Sequence, residues 1–178
     1  MHICCSACSL YPLQTLLSRS IDVTGFWFNP NIHPFTEYSM RLASLRRLQQ
    51  DWNLDIAYVD RYGVKEFIRA VVHHEDDRCP VCYSMRLEAT AEAARKMGVD
   101  GFTTTLLVSP YQKFDTIVRI GEEVGKRHAV PFYAEDFRTG WNEGVRQSRQ
   151  LGLYRQKYCG CIYSEMDRYL RKTAECRQ

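Results

Sequence analysis

Apolar runs of strand length alternate with segments of helical periodicity along almost the whole chain, and this alternation limits the folds open to it. The strand-like runs are residues 1–5, 22–30, 54–60, 101–109 and 130–137. The helical segments between and after them are 12–19, 36–52, 64–74, 83–98 and 115–129. Neighbouring parallel strands need a crossover of a dozen or more residues, which a helix supplies. The pattern predicts an α/β fold, a Rossmann-like three-layer sandwich with a mainly parallel sheet.

The length and composition predict one domain that spans residues 1–178. No stretch approaches the roughly 18 consecutive apolar residues of a membrane span. The first residues show neither a basic leader nor a small-residue cleavage site, so we expect no secretory signal and a cytoplasmic, reducing location. The net charge of +3 permits an anionic partner without specifying one.

Seven of the eight cysteines lie in three short clusters that are far apart in the sequence: residues 4–8, 79–82 and 159–161. The first two clusters each contain a C-x-x-C pair, and two such pairs supply the four thiolates of a metal site. In a reducing compartment such cysteines are more often metal ligands or redox groups than disulfides. Because the first cluster ends the first strand, we expect the site at the carboxyl edge of the sheet, where ligands bind in such folds.

The identity of the metal is open at this point, because structural zinc and a [4Fe-4S] cluster both accept four thiolates. The 70 residues between Cys8 and Cys79 exceed the roughly 15 to 20 of a zinc ribbon. Three further thiols remain, at Cys4, Cys159 and Cys161, which indicates a second metal or a redox pair. Alternatively Cys4 is a buried apolar residue and the C-x-C pair is incidental. Cys176 is expected to be a bystander.

Polar and aromatic side chains follow the predicted strands. After the second strand come Asn29, Asn31, His33, Glu37, Tyr38 and Arg41. Later segments add Ser109, Tyr111, Gln112, Asp136, Arg138, Arg155, Gln156 and Tyr158. Mixed aromatic and basic groups suit stacking on bases and contact with phosphates, although they also occur on solvated basic faces. The chain has no glycine-rich phosphate-binding loop, which disfavours ATP-dependent chemistry and dinucleotide binding by the usual motif.

Six segments, taken in order, resemble the cobalamin-independent epoxyqueuosine reductase family. They are HICCSAC, GFWFNPNIHPFTEYSMR, RCPVCYSMRLEATAEAA, FTTTLLVSPYQ, EDFR and YRQKYCGCIYS. The resemblance covers about residues 2–170. It implies removal of the epoxide oxygen of epoxyqueuosine in tRNA, a [4Fe-4S] cluster beside a second, mononuclear iron, and a fold akin to the adenine-nucleotide alpha-hydrolase (HUP) type.

The same resemblance implies which thiols serve which metal. The cluster ligands would be Cys5, Cys8, Cys79 and Cys82, and the ligands of the second iron would be Cys4, Cys159 and Cys161. The sequence does not decide which of Cys4 and Cys5 serves the cluster and which serves the second iron. In the family the position of Cys8 can be an aspartate, so a thiol there changes the cluster's potential.

The implied partners are the anticodon stem-loop of a tRNA and an external electron donor; nothing indicates an oligomeric state. We expect Tyr158, Asp136 or His33 to supply protons, and the polar residues named above to contact the substrate. Two other classes remain. One is a zinc-stabilised tRNA-binding or tRNA-modifying protein without redox chemistry. The other is a tRNA sulfur-transferase of related fold, which would need an ATP-binding loop that the first strand lacks.

Overall fold

The structure is a computed structural model that describes residues 1–175, with side chains through residue 170. Within that range seven α-helices accompany a two-stranded parallel sheet. The helices are α1 (Ser6–Ser18), α2 (Phe35–Trp52), α3 (Val64–Val71), α4 (Arg78–Met97), α5 (Phe114–His128), α6 (Trp141–Gln150) and α7 (Ile162–Glu175). The strands are β1 (Gly25–Trp27) and β2 (Ile56–Tyr58). Cys176 lies outside the described residues.

Backbone pairing extends this small sheet on one side. Strands β1 and β2 pair in parallel, with Gly25 opposite Ile56. Parallel bridges join His2 to Phe26 and to Thr104, and Phe102 to Phe132. The five predicted strand runs therefore all contribute parallel pairing, in the order third, second, first, fourth, fifth. The prediction of a mixed α/β fold with a parallel sheet is confirmed, although the regular strands are much shorter than predicted.

Two predicted strands end early because side chains stabilise turns. The strand predicted over 101–109 gives way to a 3₁₀ turn over Thr105–Val108, in which the Thr104 hydroxyl accepts a hydrogen bond from Leu106 N at 3.1 Å. The run 130–137 leads into a second 3₁₀ turn, where Asp136 accepts from Arg138 N at 3.0 Å. Threonine and aspartate favour such local hydrogen bonds over ladder pairing.

Two helices begin earlier than predicted, and this places cysteines at helix N-termini. Helix α1 begins at Ser6, directly after Cys5, and α4 begins at Arg78, before both cysteines of the second cluster. Proline is tolerated in a first helical turn, so Pro80 does not oppose the early start of α4. The pair Cys5 and Cys8 therefore lies on either side of the start of α1, and the pair Cys79 and Cys82 lies near the start of α4.

The apolar core combines residues of the strands with residues of several helices. Helix α1 packs against α2 and α6, whereas α4 packs against α3 and α5. Ile3, Trp27 and Leu45 are fully buried in one cluster, and Leu87 and Leu107 are fully buried in another. Among the described residues no helix combines the length and the apolar character needed to cross a bilayer.

Candidate metal centre

The first cysteine cluster brings three sulfur atoms together. The sulfurs of Cys4, Cys5 and Cys8 all lie within 4.8 Å of one another, and those of Cys4 and Cys5 are 3.9 Å apart. A tetrahedral metal with metal–sulfur bonds of about 2.3 Å holds its sulfurs about 3.8 Å apart. All three side chains are buried. The three sulfurs therefore lie close enough together to act as metal ligands.

Local structure fixes the orientation of these thiols. Cys5 is the N-cap of α1 in extended backbone conformation, and its sulfur accepts a hydrogen bond from Cys8 N at 3.4 Å. Thr105 holds Cys4, because its hydroxyl donates to the Cys4 sulfur at 3.3 Å and accepts from Cys4 N at 3.0 Å. The partial positive charge at the N-terminus of α1 favours anionic sulfur.

The three sulfurs differ in acidity because they share one pocket. Hydrogen bonds from Cys5 and Cys8 lower the pKa of Cys4 well below its usual range. The same interaction with Cys4 raises the pKa of Cys5 to about 12, and it also raises the pKa of Cys8. A bound cation would displace the protons that the triad holds.

The second cluster connects the first cluster with the third. Cys82 is buried with Phe67, Val71 and Cys161 in one apolar cluster. Burial raises the pKa of Cys82 to about 12. Cys79, half-buried one turn earlier on α4, packs against the core cluster that contains the sulfur triad. The two residues of this pair therefore pack in different apolar clusters: Cys79 against the one that contains Cys4, Cys5 and Cys8, and Cys82 in the one that contains Cys161.

The third cluster is a short loop that buried side chains hold from behind. Arg41 donates hydrogen bonds to the carbonyl oxygens of Cys159 and Tyr158, at 2.8 and 3.0 Å. The backbone N–H of His33 donates to the Gly160 carbonyl at 2.8 Å. Cys161 is buried directly before α7, whereas Cys159 is exposed. The loop therefore presents one thiol to solvent and one to the interior.

Gly160 allows this loop to lie close to its support, and its replacement is a direct test. Its φ is +152°, and an added Cβ would lie 3.1 Å from Asn31 Nδ2 and 3.4 Å from Arg41 Nη1. We expect Gly160→Ala to lower the free energy of unfolding by about 1–3 kcal/mol, because backbone strain adds to the contact. Urea unfolding at pH 7 measures this change.

A matched control is available on α6. A Cβ at Gly144 would meet ordinary contacts, the nearest being Ala7 O at 3.7 Å. Gly144→Ala is expected to leave stability unchanged or to raise it by up to about 1 kcal/mol, because alanine restricts the unfolded chain. Equal stabilities of the two variants would show that the loop does not depend on the glycine.

A cleft of about 770 Å³ opens beside the sulfurs. Cys4 and Cys8 of the first cluster and Cys159 of the third line it, while Cys5, Cys82 and Cys161 are buried outside its lining. Six residues predicted as substrate contacts or as a proton donor also line it, namely Ser109, Tyr111, Gln112, Arg155, Gln156 and Tyr158. The cleft lies beyond the carboxyl end of the first strand run, where ligand binding was expected.

Two of these cleft residues bind sulfur. The side-chain amide of Gln112 donates to the Cys159 sulfur at 3.2 Å, and that of Gln156 donates to the Cys8 sulfur at 3.3 Å. The hydroxyl of Tyr83 in turn donates to the Gln112 carbonyl oxygen at 2.9 Å. Such outer partners orient metal ligands and set their basicity. Their prediction as substrate contacts stays a prediction.

Aromatic and basic groups surround the mouth of the cleft. Tyr111 is 82% exposed and lies edge-on to Trp141, with 5.8 Å between ring centroids. Arg155, Lys157 and Arg168 are exposed and form no ion pair among the described residues. The mouth thus offers ring faces together with uncompensated positive charge.

The polar residues after β1 lie elsewhere, in the interior behind the third cluster. All six are buried: Asn29, Asn31, His33, Glu37, Tyr38 and Arg41. Glu37 and Arg41 form an ion pair at 2.6 Å, and the Tyr154 hydroxyl also donates to Glu37. Burial lowers the pKa of His33 to about 4, so its imidazole is neutral at pH 7. Arg41 and the backbone of His33 hold the C-x-C loop, whereas Asn29 donates to the Ile3 carbonyl and Tyr38 to Asp60.

Asp136 and Arg138 lie on the surface and outside the lining of the cleft. They form an exposed ion pair, and the Arg138 guanidinium lies 4.2 Å from the centroid of the Phe114 ring. Hydrogen bonds from Arg138 lower the pKa of Asp136. Of the three predicted proton donors, the structure therefore brings Tyr158 alone to the cleft.

Sequence reasoning missed Arg86, which lies against the second cysteine pair. Its side chain is 1% exposed and donates to the Cys82 sulfur at 3.1 Å and to the Cys82 carbonyl at 3.2 Å. A signal was present, because a residue four positions after a cysteine lies on the same helix face. Arginine is seldom fully buried, so residue type alone did not indicate an interior position.

Comparison with known proteins identifies the family of this chain. A sequence model of the family described as "Epoxyqueuosine reductase QueH" matches residues 1–167. A protein of that name from Dehalococcoides mccartyi is 35% identical over 169 residues, which cover 95% of this chain and 93% of that protein. One from Thermotoga maritima is 36% identical over 177 residues, covering 94% of this chain and 90% of that protein. The chain belongs to the epoxyqueuosine reductase QueH family.

Proposed function

We propose that this chain is an epoxyqueuosine reductase that converts epoxyqueuosine in tRNA to queuosine, using a [4Fe-4S] cluster and an adjacent iron held by its clustered cysteines. The observation that carries the proposal is that the first and third cysteine clusters line the same open cleft. Three of the thiols, Cys4, Cys8 and Cys159, face that cleft, and a substrate in it would therefore lie against the metal ligands.

The donor set suits iron and sulfide. It consists of soft sulfur ligands, with all seven described cysteines free and the sulfurs of the first cluster already within 4.8 Å. We propose Cys5, Cys8, Cys79 and Cys82 for the cluster, and Cys4, Cys159 and Cys161 for the second iron. Donors on the sulfurs, such as Gln156 on Cys8, are typical of iron-sulfur sites whose potential is adjusted by the protein.

We further propose a single catalytic domain over residues 1–178 with a Rossmann-like three-layer fold akin to the HUP type. The order of parallel pairing supports this, because third, second, first, fourth, fifth is the order of a doubly wound sheet. The cleft then lies at the carboxyl edge, beside the first strand, where the order of the strands reverses.

The reaction consumes two electrons and two protons. Both bonds from carbon to the epoxide oxygen break, a carbon–carbon double bond forms, and the oxygen leaves as water. Bound iron would supply Lewis acidity toward the oxygen, and the cluster would pass electrons from an external donor. Free thiols of this kind persist in a reducing cytoplasm, which is where we place the protein.

Tyr158 is our candidate for holding a proton at the cleft. Burial raises the pKa of its hydroxyl to about 12, so the oxygen remains protonated at neutral pH. The hydroxyl donates to the His33 carbonyl at 2.5 Å, which fixes its position at the cleft wall. An acid must lie beside the substrate, and of the three predicted donors Tyr158 is the one that lines the cleft.

The residues at the mouth of the cleft are suited to binding the anticodon stem-loop. Exposed Tyr111 and neighbouring Trp141 offer ring faces for base stacking, worth about 1–3 kcal/mol per base. Arg155, Lys157 and Arg168 offer unpaired charge for phosphates. Because the net charge is only +3, we expect few phosphate contacts and equal turnover of full-length tRNA and an isolated stem-loop.

Metal analysis with a turnover assay tests the function. Protein purified without oxygen and reconstituted with iron and sulfide should contain about five irons and four sulfides per chain, with a broad visible band that dithionite bleaches. The same sample should convert epoxyqueuosine in tRNA to queuosine. A colourless, inactive protein that retains one zinc would instead favour a structural zinc site and the tRNA-binding alternative.

A further inference from the structure

Arg86 is a buried cation without a carboxylate partner among the described residues. Its side chain is 1% exposed. Its hydrogen bonds go to the carbonyl and the sulfur of Cys82, and its guanidinium lies 5.8 Å from the centroid of the Tyr83 ring. Burying a charge without compensation costs several kcal/mol. Some neighbouring group must therefore carry negative charge.

Two other arginines near the thiols, both with little of the side chain exposed, are neutralised by acids. Arg41 pairs with Glu37 at 2.6 Å, and Arg78 pairs with Asp167. For Arg86 the polar partner is sulfur, because its guanidinium lies 3.1 Å from the Cys82 sulfur. Cys82 would supply the missing negative charge once it is deprotonated as a metal ligand.

We propose that Arg86 is the fixed counter-charge of the iron-sulfur centre and raises its reduction potential. The inference rests on the proposed function, because it requires the cluster. Each electron added makes the thiolate-bound centre more negative, and a cation in contact with a ligand sulfur stabilises the reduced form more than the oxidised form. The low dielectric of the buried site strengthens this effect, and hydrogen bonds to cluster sulfurs are known to adjust such potentials. Arg86 is a positioning residue, since it lines no part of the cleft.

A redox titration of four reconstituted proteins tests the proposal: wild type, Arg86→Met, Arg86→Lys and Arg95→Met. Arg95 is an exposed arginine on the same helix and controls for loss of one positive charge. Iron and sulfide are counted first, and the midpoint potential is then followed by visible absorbance. Arg86→Met should have a lower midpoint than wild type, Arg86→Lys should lie between them, and Arg95→Met should match wild type.

Each possible outcome of these titrations supports or overturns the proposal. A fully assembled Arg86→Met centre with the wild-type midpoint overturns the proposal. If Arg86→Met does not retain its cluster, Arg86→Lys becomes the deciding variant. A cluster that Arg86→Lys retains at a near wild-type potential supports a requirement for positive charge. Loss of the cluster in both variants shows a packing role and overturns the proposal. A wild-type protein that holds zinc and no reducible centre would reject the proposed function itself, which these variants cannot do.

Discussion

The Cys159→Ala variant is expected to retain the visible absorbance of the cluster and to lose at least about 100-fold in epoxide reduction. Even outer partners of metal ligands cost roughly 10- to 100-fold when removed, and Cys159 is proposed as a ligand. Its thiol is exposed in the cleft, whereas Cys5 and Cys82 are buried outside the cleft lining. The variant should therefore lose one iron and keep its sulfide.

Two further variants make this test specific. Cys176→Ala also removes one thiol and should turn over like wild type, because Cys176 belongs to none of the three clusters. Gln112→Ala removes the donor to the Cys159 sulfur without removing the sulfur itself, and should lose activity by a smaller factor. Epoxide reduction by Cys159→Ala at the wild-type rate would exclude the assigned role of the second iron.

The fold was largely predictable from hydrophobic periodicity. Each strand-like run contributes parallel pairing, because buried parallel strands read as continuous apolar segments and the helices between them supply the crossovers. The lengths of the strands were not predictable. Thr104 and Asp136 each cap a turn within a run that otherwise reads as strand, and that choice depends on single hydrogen bonds.

The position of two thiols beside a cleft was predictable from the sequence, but the surroundings of the individual polar side chains were not. The carboxyl-edge rule correctly placed Cys4 and Cys8 at a cleft. Residue type cannot tell whether a polar side chain will meet a ligand or the protein itself. Glu37 and Arg41 therefore looked like substrate contacts, yet they face each other in the interior. For the same reason, the burial of Arg86 beside a cysteine was not predicted from the sequence.

Replacing Arg41 tests whether that interior network holds the third cysteine cluster in place. We expect Arg41→Met to lower the free energy of unfolding by about 3–5 kcal/mol, because it leaves the Glu37 carboxylate buried without its cation. It also removes the donors to the carbonyls of Cys159 and Tyr158. Urea unfolding under anaerobic conditions, together with iron counts, measures both effects.

Arg46→Met is the matched control, since Arg46 lies on the same helix in an exposed ion pair with Asp60 and should cost less than about 1 kcal/mol. The double variant Glu37→Gln/Arg41→Met removes both buried charges, so it should be less destabilised than the sum of its single variants. If the buried pair positions the loop, Arg41→Met should lose the iron assigned to Cys159 and Cys161 while Arg46→Met keeps it. Full iron content in a destabilised Arg41→Met protein would instead mean that the ion pair stabilises the fold without shaping the metal centre.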